Sequence, residues 1–248
     1  MVDTAFDDAY LASLYDRLSA DRGDEAYYLG LIASAPRVLD VGCGTGKLLH
    51  RARAAGHRGR LVGLDPAAAM LAQARRYQGI EWVQGTLPGV AFDREFDLVV
   101  MTGHAFQVLL SDQDISEFLT AAHRALDADG HLAFETLNPL HRVWESWTPS
   151  DVRTIEDDDG VAIRVWHEVE AVDGEYVTFT ETYASDQWDA PIVCRDTLRF
   201  VAAAHLDHLL TQAGFVIDER YGDWDRSLMT PTSREIITVA RRAALSSA

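Results

Sequence analysis

The stretch of this chain best suited to chemistry is Val38-Leu39-Asp40-Val41-Gly42-Cys43-Gly44-Thr45-Gly46. A short apolar run ends in an acid and enters a turn whose glycines remove side chains, so that a ligand can reach the main chain. Helical residues resume at about Lys47, and the first turn of a helix offers N–H groups that lack intrahelical partners. A pyrophosphate-binding turn spaces its glycines G-x-G-x-x-G. Here the spacing is G-x-G-x-G, with Asp40 two residues before the first glycine. A carboxylate at that place disfavours a diphosphate and suits a ligand carrying an ammonium group.

Other residues join the candidate list by type and place. His104, in Met101-Thr102-Gly103-His104-Ala105-Phe106-Gln107, titrates near neutrality and is the best base candidate. Its other reading is a backbone hydrogen bond or a pocket wall. Phe106 and Gln107 either shape a pocket or cap the next helix. Farther on come Glu135-Thr136-Leu137-Asn138-Pro139, then His141, Trp144 and Trp147. Two tryptophans three residues apart either clamp a flat or cationic molecule or anchor a neighbouring sheet. Trp224 has the same two readings, and Tyr183 is a weaker candidate. His205 and His208 have i, i+3 spacing, but no carboxylate–histidine pattern accompanies them and no metal is expected.

The elements that position these residues follow from periodicity. Helical spacing runs through Phe6, Tyr10, Leu11, Leu14, Tyr15 and Leu18, then through Tyr27, Tyr28, Leu31 and Ile32, ending at Pro36. From there strands and helices alternate: strand Arg37–Val41, helix Lys47–Ala55, strand Leu61–Leu64, helix Ala67–Tyr77, strand Trp82–Gln84, strand Phe96–Met101, helix Asp112–Leu126 and strand His131–Glu135. This rhythm predicts an α/β fold, a doubly wound and mostly parallel seven-stranded sheet with sites at the carboxyl ends of its strands. Between about Trp147 and Phe200 the rhythm breaks into extended runs, Ile163–Glu170, Tyr176–Ser185 and Ile192–Phe200. With hairpin dipeptides at Asp159-Gly160 and Asp173-Gly174, it predicts a small antiparallel β insert of three or four strands. The alternation returns with helix Ala202–Ala213 and strands Phe215–Tyr221 and Glu235–Arg241.

Composition narrows the partners. The 248 residues carry 39 acids against 22 bases, a net charge of −17 that repels polyphosphate, so nucleic acid is not expected as a partner. The basic cluster Arg51, Arg53, His57, Arg58 and Arg60 is short and reads as a solvated helix end. No apolar run reaches the ~18 residues of a membrane span, and Met1–Asp8 does not read as a signal peptide. The two cysteines, Cys43 and Cys194, form neither a disulfide framework nor a metal pair. A cytoplasmic protein without a membrane partner is expected, acting as a monomer or homodimer.

Taken together, the motifs resemble those of the class I methyltransferases that use S-adenosylmethionine (SAM), over roughly residues 15–137 and 202–241. SAM carries an ammonium and a sulfonium and no phosphate. The resemblance implies that Asp40, Gly42, Cys43 and Gly44 meet its amino-acid half. It also implies that Asp65, in Gly-Leu-Asp65-Pro66, binds the ribose hydroxyls, a role compatible with capping the following helix. Met70 then packs near the adenine or in the core. After the third strand many relatives have Gly-Asp, whereas this chain has Gln84-Gly85-Thr86-Leu87, leaving Thr86 a weaker acceptor for the adenine amino group. Thr102 completes the implied cofactor set. Leu14-Tyr15-Asp16-Arg17-Leu18 resembles the lid helix of bacterial small-molecule methyltransferases, including amino-sugar N-methyltransferases. By that resemblance Tyr15 lies over the active site and Tyr28 reaches the SAM carboxylate; simple helix packing is the other reading of each.

The implied organisation is residues 1–36 as lid helices, 37–146 and 201–248 as the SAM-binding domain, and 147–200 as a substrate-side insert. The implied activity is methyl transfer from SAM to nitrogen or oxygen of a small-molecule acceptor. Tyr15, His104, Phe106, Asn138, Trp144, Trp147 and Trp224 are the acceptor-side candidates. Two other readings remain: a SAM-binding sensor or scaffold without turnover, and a protein or RNA methyltransferase.

Overall fold

The computed structural model describes residues 4–19 and 23–243; residues 1–3, 20–22 and 244–248 of the expected terminal segments lie outside it. The chain opens with α1 (Thr4–Asp7), α2 (Ala9–Leu18) and α3 (Asp24–Ala33). Asp8 starts α2, its carboxylate accepting the N–H groups of Tyr10 and Leu11 at 2.9 Å, which satisfies donors that the first turn leaves open.

The alternating segment follows as β1 (Arg37–Val41), α4 (Lys47–Ala54), β2 (Arg60–Asp65), α5 (Ala68–Ala74), β3 (Glu81–Gln84), β4 (Phe96–Met101), α6 (Asp112–Ala125) and β5 (Leu126–Leu137). Next come four antiparallel strands, β6 (Arg153–Glu156), β7 (Ala162–Asp173), β8 (Tyr176–Ala184) and β9 (Ile192–Arg199). The chain closes with α7 (Ala203–Gln212), β10 (Phe215–Tyr221) and β11 (Glu235–Arg242). The large sheet has seven strands in the order β10-β11-β5-β4-β1-β2-β3. Only β11 runs against its neighbours, pairing antiparallel with both β5 and β10. Strand order reverses at β1, which lies between β2 and β4, and a reversal of this kind opens a crevice at the carboxyl ends of the strands. One sheet face buries Phe96, Phe118 and Phe134 with α6 and α7; the other buries Tyr28, Ile32 and Leu49 of α3 and α4. No helix among the described residues is long and apolar enough to cross a membrane.

Among the elements that differ from the sequence expectation are β5, α5 and β6. β5 begins at Leu126 rather than His131: Leu126 pairs with Phe96 of β4, and the register shifts before Leu98 pairs with His131. α5 ends at Ala74, where the chain tightens into i→i+3 hydrogen bonds from Arg76 and Tyr77. The short strand β6 is set by pairing with β7, since its own burial pattern is mostly exposed.

α2 belongs to two neighbourhoods. Its Ala12 packs with Ala67 and Met70 beside α5, while Leu11, Leu14 and Leu18 pack on Ile163, Val165 and Tyr183 of the small sheet. Polar ties reinforce the second contact: the Tyr10 hydroxyl donates to Asp157 at 2.9 Å, and Arg153 donates to the Leu18 carbonyl at 3.0 Å. At the other end of the insert, Gln107 donates to the Arg199 carbonyl at 3.3 Å and accepts from the Leu137 N–H at 3.0 Å. The small sheet is thus fastened both to α2 and to the turn after β4.

Trp82 lies under the glycine turn and dictates two glycines. A Cβ on Gly46 or on Gly63 would stand 2.3 Å from its ring, and Gly46 also has φ +75°. Gly63→Ala therefore overpacks this point and is expected to lose about 1–3 kcal/mol of stability. Urea unfolding reads that loss, and Trp82→Leu in the same background should recover part of it.

Candidate functional site

The crevice is built on the last residue or two of β1, β2, β4 and β5. Asp40 sits on β1 beside Gly63 of β2 and Val100 of β4, and is only 1% exposed. Its Oδ1 is buried without a hydrogen-bond partner. Burial, followed by the nearby Asp65 and Glu135, pushes its carboxyl well above the usual carboxylate range. Asp65, at the end of β2, spends both oxygens on backbone: Oδ2 accepts the Gly44 N–H and Oδ1 the Ala67 N–H, each at 2.8 Å. These bonds hold the glycine turn against β2 and partly offset the upward push of burial on its pKa. Asp65 acts on the entry to α5 through Ala67, one residue before the helix begins.

Above the turn lies α2. Its Asp16 accepts from the Thr45 hydroxyl at 2.5 Å, and its Tyr15 ring lies over Gly44 and Gly103. A Cβ on Gly44 would lie 3.8 Å from Tyr15 Cε1, and one on Gly103 3.7 Å from the Tyr15 hydroxyl. The cleft so enclosed is lined by Tyr15, Tyr28, Asp40, Gly42, Cys43, Gly44 and Thr102, together with Asp16, Asp24, Glu25, Thr45, Lys47 and Gly103. Its charge is acidic on nearly every side, with Lys47 as the cation of the lining. An orphaned buried carboxylate oxygen in an acidic cleft beside bare backbone fits a ligand with a cationic head and no phosphate.

A second group of residues forms where β4 and β5 end and β11 begins. Glu135 is fully buried; it accepts from the Tyr28 hydroxyl and, at 2.9 Å, from the His104 N–H. Burial raises the pKa of Glu135, and burial next to that carboxylate holds the Tyr28 phenol well above its ordinary value. His104 has φ +61°, an uncommon backbone for a residue with a side chain, and its Nε2 meets Glu235 Oε2 at 2.8 Å. The strain and the two carboxylates together fix where the imidazole stands.

Several other sequence candidates lie elsewhere. Phe106 is in the main core, stacked on Phe134 with centroids 4.4 Å apart. Leu87 is also core, Thr86 is exposed, and Gly85 donates to the Asp65 carbonyl at 3.0 Å. The Pro66 carbonyl accepts from Gln84 at 3.3 Å, and Met70 packs under α2. Asn138 spends its amide on the Ser233 carbonyl at 2.8 Å. Trp144 packs edge-on against Phe200 at 4.5 Å and Trp147 against Phe179 at 4.8 Å, joining the insert to β5. Trp224 packs on Tyr27 and Tyr28. His205 meets Asp112 at 3.1 Å, and no metal-type cluster occurs among the described residues. The sequence reading gave no role to Asp16, Lys47, Glu135 or Glu235, although Asp16 and Lys47 adjoin motifs it used and Glu135 follows an apolar strand much as Asp40 does.

Sheet order, the antiparallel strand slotted beside β5, and an acid-flanked glycine turn at the reversal point define the class I methyltransferase fold. Residues 38–130 match the methyltransferase domain family. The chain is 33% identical over 136 residues to the 2-phytyl-1,4-naphtoquinone methyltransferase of Thermosynechococcus vestitus, an overlap of 50% of this chain and 59% of that protein. Among solved structures, the methyltransferase CcbJ from Streptomyces caelestis superposes with TM-score 0.80 at 22% identity, covering 98% of this chain and 100% of that one. SAM-bound CalS10, an amino pentose methyltransferase from Micromonospora echinaspora, gives TM-score 0.69 at 22% identity over 95% and 97%. The chain thus has the class I methyltransferase fold, and its residues 38–130 match a methyltransferase domain.

The raised Asp40 pKa has a consequence for the ligand-free protein. Its folded form holds a proton that the unfolded form releases, so stability falls as pH climbs from the usual carboxylate range through the raised value. Urea unfolding from about pH 4 to about pH 8 should show that decline, and Asp40→Asn should flatten it.

Proposed function

We propose that this protein transfers a methyl group from SAM to nitrogen or oxygen of a small-molecule acceptor. The observation that carries the reading is the buried, unpartnered Oδ1 of Asp40 in a cleft rimmed by acids and bare glycine backbone. When bound, SAM supplies an activated methyl on a sulfonium leaving group. The chain's own residues then have alignment and desolvation to provide. Asp40 takes the donor's ammonium and Asp65 its ribose hydroxyls, while Tyr15 and α2 close over the glycine turn and keep water out.

His104, oriented by Glu235, is the group we assign to accept the acceptor's proton, a role that typically contributes ~10²–10⁴-fold. We assign the wall of the acceptor pocket to the insert. The face that packs on α2 also carries His167 and Glu181, paired at 3.1 Å, with the Tyr183 hydroxyl donating to Glu181 at 2.6 Å. Such a face suits a polar acceptor bearing hydroxyl or amino groups.

Calorimetry with S-adenosylhomocysteine tests the pocket. Asp40→Asn and Asp65→Ala should each weaken binding by about tenfold or more, as expected where a charged hydrogen bond is lost. Wild-type affinity in both variants would dismiss the assignment. His104→Ala should reduce turnover, measured as S-adenosylhomocysteine formed in a metabolite mixture, far more than it reduces SAM affinity. Binding without any turnover in the wild type would favour a sensor.

A further inference from the structure

The small sheet turns one face towards the rest of the molecule, and the pleat puts every second residue of a strand on it. Val165, His167 and Val169 of β7 share that face with Tyr183, Glu181 and Phe179, their register partners on β8. One end of the face is closed by α2, whose leucines cluster with Val165 and Tyr183. The other end is closed by Leu137, the last residue of β5, and by Trp144, in the cluster against which Val169 packs. His167 and Glu181 stand between the two closures.

That midpoint is polar and open. The side chains of His167 and Glu181 are 24% and 23% exposed, whereas Val165 and Tyr183 at the α2 end are 0% and 4% exposed. Burial pushes the Glu181 carboxyl up, but the hydrogen bonds from His167 and Tyr183 outweigh it and hold the group below its ordinary value. An ion pair set into an apolar face adds little stability beyond what apolar side chains of the same volume would give. What the pair does is orient a ring. With Nε2 turned to the Glu181 carboxylate at 3.1 Å, a neutral imidazole keeps its proton there and presents Nδ1 as an acceptor. Nδ1 has no partner among the described residues. Beside it stand the rings of Trp147 and Phe179, with centroids 5.9 Å and 5.7 Å from the imidazole, and the Trp147 side is half-buried.

We infer that His167 binds the methyl acceptor, with Glu181 as its positioning residue, and that the acceptor is a flat ring bearing a hydroxyl or amino group. The O–H or N–H of that group donates to His167 Nδ1, and the ring lies along the open part of Trp147. This rests on the reading of the insert as the wall of the acceptor pocket and gives that wall its specificity. A ring without a donor leaves Nδ1 unpaired, and a saturated ring forgoes the offset contact between π-systems.

The probes are catechol and cyclohexane-1,2-diol, which carry the same pair of hydroxyls on a flat and a saturated ring. Each is titrated into the intact chain in the presence of S-adenosylhomocysteine, and the imidazole nitrogens are followed by NMR at ~pH 8, above the ordinary histidine range. Catechol should move the His167 Nδ1 resonance and bind about fivefold or more tightly than the saturated diol, and His167→Phe should weaken it by a similar factor, the span of one hydrogen bond or ring contact. Before any probe is added, Glu181→Leu should mix the two His167 tautomers, while Glu181→Gln, whose amide oxygen still accepts, should keep most of the native one. A His167 resonance that catechol leaves unmoved, or equal catechol affinity in His167→Phe and wild type, overturns the inference. Calorimetry with S-adenosylhomocysteine on the same samples separates this from the donor reading: unchanged affinity in His167→Phe leaves the donor site standing, and no binding by the wild type removes the donor reading and this inference together.

Discussion

A carboxylate buried with an oxygen left unpartnered is the constraint around which this molecule is arranged. Taking an ion out of water costs several kcal/mol even after relaxation, so such a group either holds a proton or waits for a cation. Asp40 is in that position, and its neighbours Asp65 and Glu135 deepen the penalty instead of relieving it. In the ligand-free protein that penalty is a local loss of stability.

The rest of the crevice keeps that carboxylate hidden from bulk water. Asp65 ties the glycine turn to β2 through the Gly44 N–H, and Trp82 supports the turn from below through the space left by Gly46 and Gly63. Above it, α2 bridges the cleft with Tyr15 and the Asp16–Thr45 hydrogen bond. Because α2 also packs on the small sheet, displacing it would break contacts with α5 and with the insert at once. Cleft and insert are therefore mechanically linked through one ten-residue helix. The second fastening, Gln107 between Arg199 and Leu137, links the insert to the turn that presents His104.

Two buried glutamates complete the far side. Glu135 and Glu235 come from adjacent strands, and each engages His104, one through its N–H and the other through its ring. A histidine held at positive φ by two acids has little freedom to reorient, which makes its placement a property of the sheet rather than of its loop.

Much of this was legible in the residues themselves. β1, β4 and β10 begin and end where periodicity puts them, since each is a compact apolar or alternating run bounded by turn formers. The glycine spacing, Asp40 and Asp65 marked the crevice because strand, turn and helix are consecutive in the chain. What the sequence could not settle were matters decided by pairing between distant segments. The length of β5 and the existence of β6 come from neighbouring strands. Phe106, Trp144, Trp147 and Trp224 had two readings each, and packing put Phe106, Trp144 and Trp147 in hydrophobic clusters and Trp224 against Tyr27 and Tyr28. The meeting of Glu235 with His104 and of Tyr28 with Glu135 spans more than a hundred residues of chain. Local pattern encodes which backbone each stretch prefers, because neighbouring side chains act on it directly. Which acid meets which base depends on sheet order and register, and these exist only once the whole chain has closed on its core.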